Sequence, residues 1–343
     1  MTKIAFGVGV AVASAVLAIT PASAKDTLTA VTGLERTNVL SESFISQFAD
    51  KVTQSGAATI SYLGGQEVVP PDKAAGALRR GQFDMLHSPS SYYIGTLPEA
   101  YALLAGNQGP AAIRKNGGWE LLEKIFLEKT GAHLLAWGEN MTSYNMYLAK
   151  MPPMKDGMPD LTGFKMRATG TYRPLFRALG GSTINIKSSE VYTAMQRGTV
   201  DGFGYTDVSI VPLGFHKVAK FRVIPNFYQT NTVVTVNADA WKSLTDQQRA
   251  VFNEKAIAYE TVAVFFTEKA RKEEEAEIKA AGVQDIVLDG EGAAKYVDLA
   301  HQEIWKELKN RSDYHDQLKA LMYIPGKPNL QVSVEELRAG RRM

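Results

Sequence analysis

Residues 163–206 read GFKMRATGTYRPLFRALGGSTINIKSSEVYTAMQRGTVDGFGYT, and the order of pieces in this stretch decides the fold. Lys165-Met166-Arg167 reads as the end of a short strand, and Ala168-Thr169-Gly170 as a flexible loop opening a helix around Leu175, Phe176 and Leu179. Gly180-Gly181 stops that helix, because glycine adopts the left-handed turn of a helix end without steric cost. Ile184-Asn185-Ile186 alternates like a strand. Ser188-Ser189-Glu190 is expected to cap a second helix carrying Val191, Ala194 and Met195, and Asp201-Gly202 makes a turn. Strand and helix alternating through short loops predict an α/β protein with mostly parallel sheets. Ligands in such sheets sit beyond the carboxyl ends of the strands. Arg167 stands at one such end, where a guanidinium can grip a carboxylate with two parallel hydrogen bonds. The competing reading is an ordinary surface arginine.

The same alternation continues on either side. Thr27 to Val31 predicts a strand, and the loop Thr32 to Asn38 feeds a helix containing Phe44, Ile45 and Phe48. Thr59 to Leu63 is the next strand, broken by Gly64-Gly65-Gln66. Asp72 to Arg80 is helical. Phe83 to His87 is a strand that opens into the polar loop Ser88-Pro89-Ser90-Ser91-Tyr92-Tyr93, a second ligand-facing position. Trp119 to Thr130 is an amphipathic helix, and His133 to Gly138 and Ser143 to Ala149 are strands. No internal repeat and no proline-rich linker interrupts the pattern.

One element is longer than the rest. Thr245-Asp246-Gln247-Gln248 is a capping box, and nothing from there to Gly282 breaks a helix. Val251, Ala258, Val262 and Phe265 are spaced as a buried helical stripe. Such a helix would be roughly 55 Å long, more than one lobe needs, and is expected to join two. The charge run from Glu268 to Lys279 reads as a solvated face with local ion pairs.

The first residues indicate an exported protein. A positive start, Met1-Thr2-Lys3, precedes an apolar run, Ile4 to Ile19, and Ala22-Ser23-Ala24 is a small-residue cleavage site. Residues 1–24 are expected to be a signal peptide, and no later run is long enough to span a membrane. With no cysteine in the chain, neither a lipid anchor nor disulfides are expected, which suits a bacterial periplasm. A net charge of +2 gives no field for nucleic acid. Enzyme motifs are missing: there is no G-x-S-x-G, H-E-x-x-H or Walker loop. The five histidines lack metal-ligand spacing, and no feature pairs Glu35, Glu67 and Asp207 as glycosidase carboxylates.

Leu161 to Arg167 (LTGFKMR), Ser189 to Gly202 (SEVYTAMQRGTVDG), and Asn237 to Leu244 with the long helix after it resemble the substrate-binding subunit of tripartite ATP-independent periplasmic (TRAP) transporters of the DctP type. Gly64 to Gln66 and Arg80 to Met85 add to the likeness, which covers the mature chain in order. The resemblance implies two α/β lobes around a cleft, strands crossing between them and a long helix spanning both. It implies an organic-acid ligand, no cofactor or metal being assigned, with Arg167 on its carboxylate, and integral membrane subunits as partners, driven by an ion gradient. The binding component of an ATP-driven importer shares the architecture and is the alternative; a secreted enzyme is a weaker one.

On this basis lobe I is expected at 25–140 and 233–272, lobe II at 141–232 and 273–330, and a tail at 331–343, with hinges near Asn140–Ser143 and Gln229–Thr232. Ligand-binding residues are expected to be Arg167, Tyr205, Thr206, Asn145, Tyr147, Ser88, Ser90, Gln66 and Glu67. The chain departs from the family at Asp201-Gly202-Phe203-Gly204-Tyr205-Thr206, where many members read D-G-Q-E-N-P, so a tyrosine replaces the ligand-facing asparagine. The second arginine that some members carry on the strand before Arg167 is missing from Ser143 to Lys150. One arginine at the cleft predicts one tightly held carboxylate, on a less charged and possibly ring-containing body.

Overall fold

The protein is described by a computed structural model, which covers Met1 and residues 25–325. The rest of the expected signal peptide and the tail 331–343 lie outside the described residues.

Two large sheets organise the chain. The strands are β1 (Thr27–Thr32), β2 (Thr59–Gly64), β3 (Met85–Pro89), β4 (Ala132–Trp137), β5 (Tyr144–Leu148), β6 (Met154–Lys155), β7 (Met158–Pro159), β8 (Lys165–Arg167), β9 (Ser182–Ile184), β10 (Gly202–Thr206), β11 (Phe221–Phe227), β12 (Thr232–Asn237) and β13 (Gln284–Val287). The first sheet runs β2-β1-β3-β12-β4 and the second β13-β11-β5-β10-β8-β9, with β6 and β7 forming a separate hairpin.

Each sheet carries one strand that runs against its neighbours, and the crossing between lobes explains it. β4 runs toward the cleft, and the chain then passes through 138–143 into β5. β5 enters lobe II from the cleft and is antiparallel to β10 and β11. β11 returns through 228–231 into β12, antiparallel to β3 and β4. A strand that enters from the other lobe must run away from the cleft, opposite to strands whose carboxyl ends face it. The chain thus passes between the sheets at 138–143 and 228–231, and the sheets are mixed rather than mostly parallel.

The helices are α1 (Val39–Phe44), α2 (Asp50–Gln54), α3 (Pro71–Arg79), α4 (Ala100–Ala105), α5 (Pro110–Asn116), α6 (Gly118–Thr130), α7 (Arg173–Ala178), α8 (Ser188–Gln196), α9 (Ala238–Ser243), α10 (Asp246–Ala280), α11 (Gly290–Lys309) and α12 (His315–Met322). A π-helical turn, Ile45–Ala49, joins α1 to α2. α10 is the expected long helix, 35 residues that begin on lobe I and lead into β13 of lobe II. Its capping box is formed: Gln248 N–H donates to Thr245 Oγ1 at 3.2 Å, and Thr245 N–H to Gln248 Oε1 at 2.8 Å.

The inward stripe of α10 differs from the one expected. Phe252, Ala256, Tyr259, Ala263 and Thr267 are buried, while Val251, Val262 and Phe265 are half-buried and Ala258 is exposed. The buried face carries polar residues with dedicated partners, which hides it from a hydrophobic count. Arg114 donates to both oxygens of Glu260 at 2.8 and 3.1 Å, and Trp137 N–H donates to Glu260 at 3.0 Å. The charge run also does more than solvate a face. Glu268–Lys272 and Glu275–Lys279 are the expected i,i+4 pairs. Arg271, however, pairs with Asp207 at 2.9 Å, Glu274 accepts the N–H groups of Ser209 and Val211, and Glu275 takes Arg222.

Three buried clusters cover the sheets. One lies between the first sheet and α1, α2 and α10, around Phe44, Phe48, Phe252 and Tyr259. A second packs α8 on the second sheet around Phe203, Val191 and Phe215. The largest extends from α4 and α6 of lobe I to α7 of lobe II, with α11 bridging them through Tyr296, Ala300 and Ile304. α12 packs on α4, α5 and α6, on the side of lobe I, whereas 273–330 had been expected with lobe II.

Candidate functional site

Arg167 ends β8 between β9 and β10, paired with Ile184 on one side and Phe203 on the other. The backbone just beyond those partners fixes its side chain. Its Nε donates to Ile186 O at 2.8 Å and its Nη1 to Gly204 O at 3.2 Å. The residue is 1% exposed, and no carboxylate forms an ion pair with it among the described residues. Gly204 is required on the neighbouring strand: a Cβ there would sit 2.5 Å from the Tyr172 ring.

Arg167 forms the floor of a cavity of about 360 Å³ between the lobes. Lobe II contributes Thr169, Gly170, Ile186 and Ser188 to its walls, and lobe I contributes Gln66, Ser91 and Tyr92. Asp72, Lys187 and Glu190 lie at its margin. Thr169 Oγ1 is buried and has no hydrogen-bond partner, so a second polar atom accompanies the guanidinium. Burial raises the Tyr92 phenol to about 12, with the charge and hydrogen bond of Arg167 pulling the other way. Tyr92 is therefore a neutral donor at physiological pH.

Behind Tyr92 lies a smaller cavity of about 20 Å³, walled also by Asn38, Tyr144, Tyr172, Tyr205 and Thr206. The Asn38 amide donates to the Tyr205 hydroxyl at 3.0 Å across the lobes. Burial pushes the Tyr205 phenol far above its ordinary range. Further contacts close the two halves. Ser188 donates to Glu35 Oε1 at 2.8 Å, Val39 N–H donates to Ser209 Oγ at 3.0 Å, and the Ser91 and Thr171 hydroxyls meet at 2.7 Å. Ser188 is thus a cross-cleft contact and not the helix cap expected of it; the N-cap position of α8 is Lys187, whose side chain makes no capping bond.

Of the expected site residues, Arg167 and Gln66 line the main cavity, and Tyr205 and Thr206 the inner one. The other five are held elsewhere. Asn145 faces the neighbouring strand and donates to Val223 O at 3.0 Å. Tyr147 shares the sheet face of Phe203 and Tyr205 but is buried there, stacked on Phe203 with ring centres 5.2 Å apart. Ser88 is buried in β3 and donates to Pro89 O, and Ser90 donates to Asn231 O at 3.0 Å, fastening the hinge. Glu67 accepts the Gly65 N–H at 2.7 Å and shapes the Gly64-Gly65 turn. Asn145 and Tyr147 share the face of Tyr205, and it is their partners within the sheet that keep them from the cavity. Tyr92, Thr169, Ser188 and Asn38 were missed. Tyr92 and Thr169 stood in the two loops already singled out, and their positions after strand ends were the available signal.

The two arginines able to add a second anchor do not line the cavity. Arg36 lies over the Tyr62 ring, 5.3 Å from its centre, and Arg173 is the first residue of α7. No group of three or more His, Cys, Asp or Glu side chains able to hold a metal occurs among the described residues, and no helix there is long and apolar enough to cross a membrane.

Two α/β lobes, the chain segments that pass between them and a buried cationic pocket at their junction define a cleft-type ligand-binding protein. Residues 34–311 match the model of the bacterial extracellular solute-binding protein family 7, DctP, and the chain belongs to that family. It is 25% identical over 221 residues to a monocarboxylate 2-oxoacid-binding periplasmic protein of Nostoc sp. (strain PCC 7120), a match spanning 59% of this chain and 57% of that relative. Its fold is that of a TRAP transporter solute-binding protein from Bordetella bronchiseptica RB50, solved with calcium and picolinate. The TM-score is 0.76 and the identity 20%, over 88% of this chain and 92% of the other. It is also that of a TRAP periplasmic solute-binding protein from Desulfovibrio salexigens with bound orotic acid, with a TM-score of 0.75 and 20% identity over 87% and 97%.

Proposed function

We propose that this chain is a periplasmic receptor that binds an organic acid and delivers it to the integral membrane subunits of a TRAP transporter. It performs no catalysis. Arg167 holds the ligand carboxylate, Thr169 and the neutral Tyr92 add hydrogen bonds, and closure of the two lobes is the form that the membrane subunits read.

One observation carries this reading: Arg167 is buried with backbone carbonyls on two of its nitrogens and no ion-pair partner among the described residues. A buried charge is costly unless paired, so the pairing anion belongs to the ligand. One such cation at the floor supports one gripped carboxylate. The relatives that hold picolinate, orotate and 2-oxoacids are consistent with an acid of this kind. The family's extracellular description supports the exported location expected from residues 1–24.

A thermal-shift screen of organic acids tests the proposal. A ligand at 100 times its dissociation constant adds about 2.7 kcal/mol to stability. Monocarboxylates should raise the melting temperature of the wild type and leave Arg167→Ala unmoved. A screen in which sugars or cations act and acids do not would overturn it.

A further inference from the structure

Glu35 lies in the loop after β1 and reaches across the cleft mouth. Its Oε1 is occupied by the Gln66 amide and by the Ser188 hydroxyl. Its Oε2 is buried and has no hydrogen-bond partner. A carboxylate oxygen only accepts, and burying one unsatisfied is unfavourable. Both residues that hold Oε1, Gln66 and Ser188, are walls of the cavity whose floor is Arg167. The charges of Glu35 and Arg167 also act on the same two phenols, Tyr92 and Tyr205, in opposite directions. A cation from lobe II thus lines the cavity, and an acceptor from lobe I lies directly behind two of its walls.

We propose that Glu35 is a specificity-determining residue whose free oxygen accepts a hydrogen bond from a protonated nitrogen of the ligand. The ligand is then a zwitterionic acid, with its carboxylate on Arg167 and its N–H group on Glu35. This rests on the carboxylate reading above and narrows it. A monoanion without a donor leaves the Glu35 oxygen unsatisfied, and a dianion sets a second negative charge against it. Size agrees with a cyclic ligand: the cavity is more than twice the roughly 150 Å³ of an apolar cavity that binds benzene.

The test uses ring acids of one shape. The exported protein, unfolded and refolded to strip any carried ligand, is titrated calorimetrically with cyclohexanecarboxylate and with piperidine-2-, -3- and -4-carboxylate. The same titrations are made on Glu35→Gln and Arg167→Ala. Glutamine keeps an acceptor oxygen for Ser188 and Gln66 but removes the charge. The wild type should bind at least one piperidine acid at least tenfold more tightly than the carbocycle. Glu35→Gln should reduce that preference to within threefold without weakening the carbocycle, and Arg167→Ala should lose all four. Equal affinity for carbocycle and piperidines in the wild type, or an unchanged preference in Glu35→Gln, overturns the role of Glu35 while the carboxylate reading stands. Arg167→Ala binding like wild type, or silence of all four acids, overturns both. Carbocycle binding that requires calcium, and disappears with a chelator and with Glu35→Gln, assigns the oxygen to a cation and also overturns the proposal.

Discussion

Ser188 at the start of α8 donates its hydroxyl to Glu35 after β1 at 2.8 Å, which fastens lobe II to lobe I at the mouth of the cleft. With Asn38 on Tyr205 and Ser91 against Thr171, it belongs to a set of contacts that form only when the lobes meet. The described arrangement is thus closed, and an open form must break these bonds together.

Closure is therefore expected to follow ligand. The ligand shifts the balance by its extra affinity for the closed form. Small-angle scattering should show a smaller radius of gyration at saturation than in the stripped protein. Superimposable curves would mean that the cleft does not move.

Ser188→Ala removes one cross-cleft bond and leaves Arg167 untouched. A net hydrogen bond contributes about 0.5–1.5 kcal/mol, so affinity should fall between about twofold and tenfold, mainly through faster dissociation. Stopped-flow release kinetics check this, and an unchanged off-rate would remove Ser188 from the latch.

The hinge has its own packed core. Glu139, in the 138–143 crossing, accepts from the Tyr259 hydroxyl and lies 3.2 Å from His87 Nε2, all three fully buried. Gly138 makes this possible, since a Cβ there would sit 2.7 Å from the Tyr259 ring and hydroxyl. Gly138→Ala should lower the melting temperature by several degrees, as overpacking costs about 1–3 kcal/mol. A calorimetric scan within one degree of wild type would show that the ring moves aside freely.

Alkaline pH should unfold the protein. Burial raises the phenols of Tyr92, to about 12, and of Tyr144, Tyr172 and Tyr205. In the unfolded chain they ionise near 10. Between these values the unfolded state has released protons that the folded state still holds, so stability falls as pH rises. The melting temperature should be insensitive to phenol ionisation up to about pH 9 and drop above pH 10. Phenolate absorbance from the buried tyrosines should appear together with loss of structure. Full phenolate at pH 11 in a folded protein would contradict this.

The sequence made the architecture legible because helix stops, caps and strand ends are local. The Thr245 box and the Gly180-Gly181 stop needed no tertiary information, and the crossings at Asn140 and Gln229 followed from the order of strands. Arg167 was legible because it ends a strand in a recognisable unit. Tyr147 and Asn145 failed because they share the sheet face of Tyr205 but are held by Phe203 and by Val223 O, partners that local sequence does not show. Glu35 and Ser188, 153 residues apart, were invisible as a pair because only lobe closure brings them together. The buried stripe of α10 was misread because Tyr259 and Glu260 enter the interior with partners, Glu139 and Arg114, from distant segments.

Thr169→Val deletes the partnerless hydroxyl beside Arg167 while keeping its volume. Hydrogen bonds to charged groups contribute about 1.5–3 kcal/mol, so affinity for a carboxylate should fall at least about tenfold. Apo stability should hold or rise, because an unsatisfied buried group is removed. Equal calorimetric affinity would exclude Thr169 from the site.

The central claim is that Arg167 supplies the charge that holds the ligand. It is tested most directly by titrating the stripped wild type and Arg167→Ala, side by side, with picolinate, orotate, pyruvate and succinate. The account predicts that the wild type binds at least one monocarboxylate more tightly than succinate. It also predicts that Arg167→Ala weakens that binding by at least about thirtyfold, the effect of losing 2 kcal/mol or more from a desolvated charge pair, with its fold intact by circular dichroism. Affinity within threefold of wild type in the alanine variant, or tight binding of succinate with the monocarboxylates silent, would contradict it.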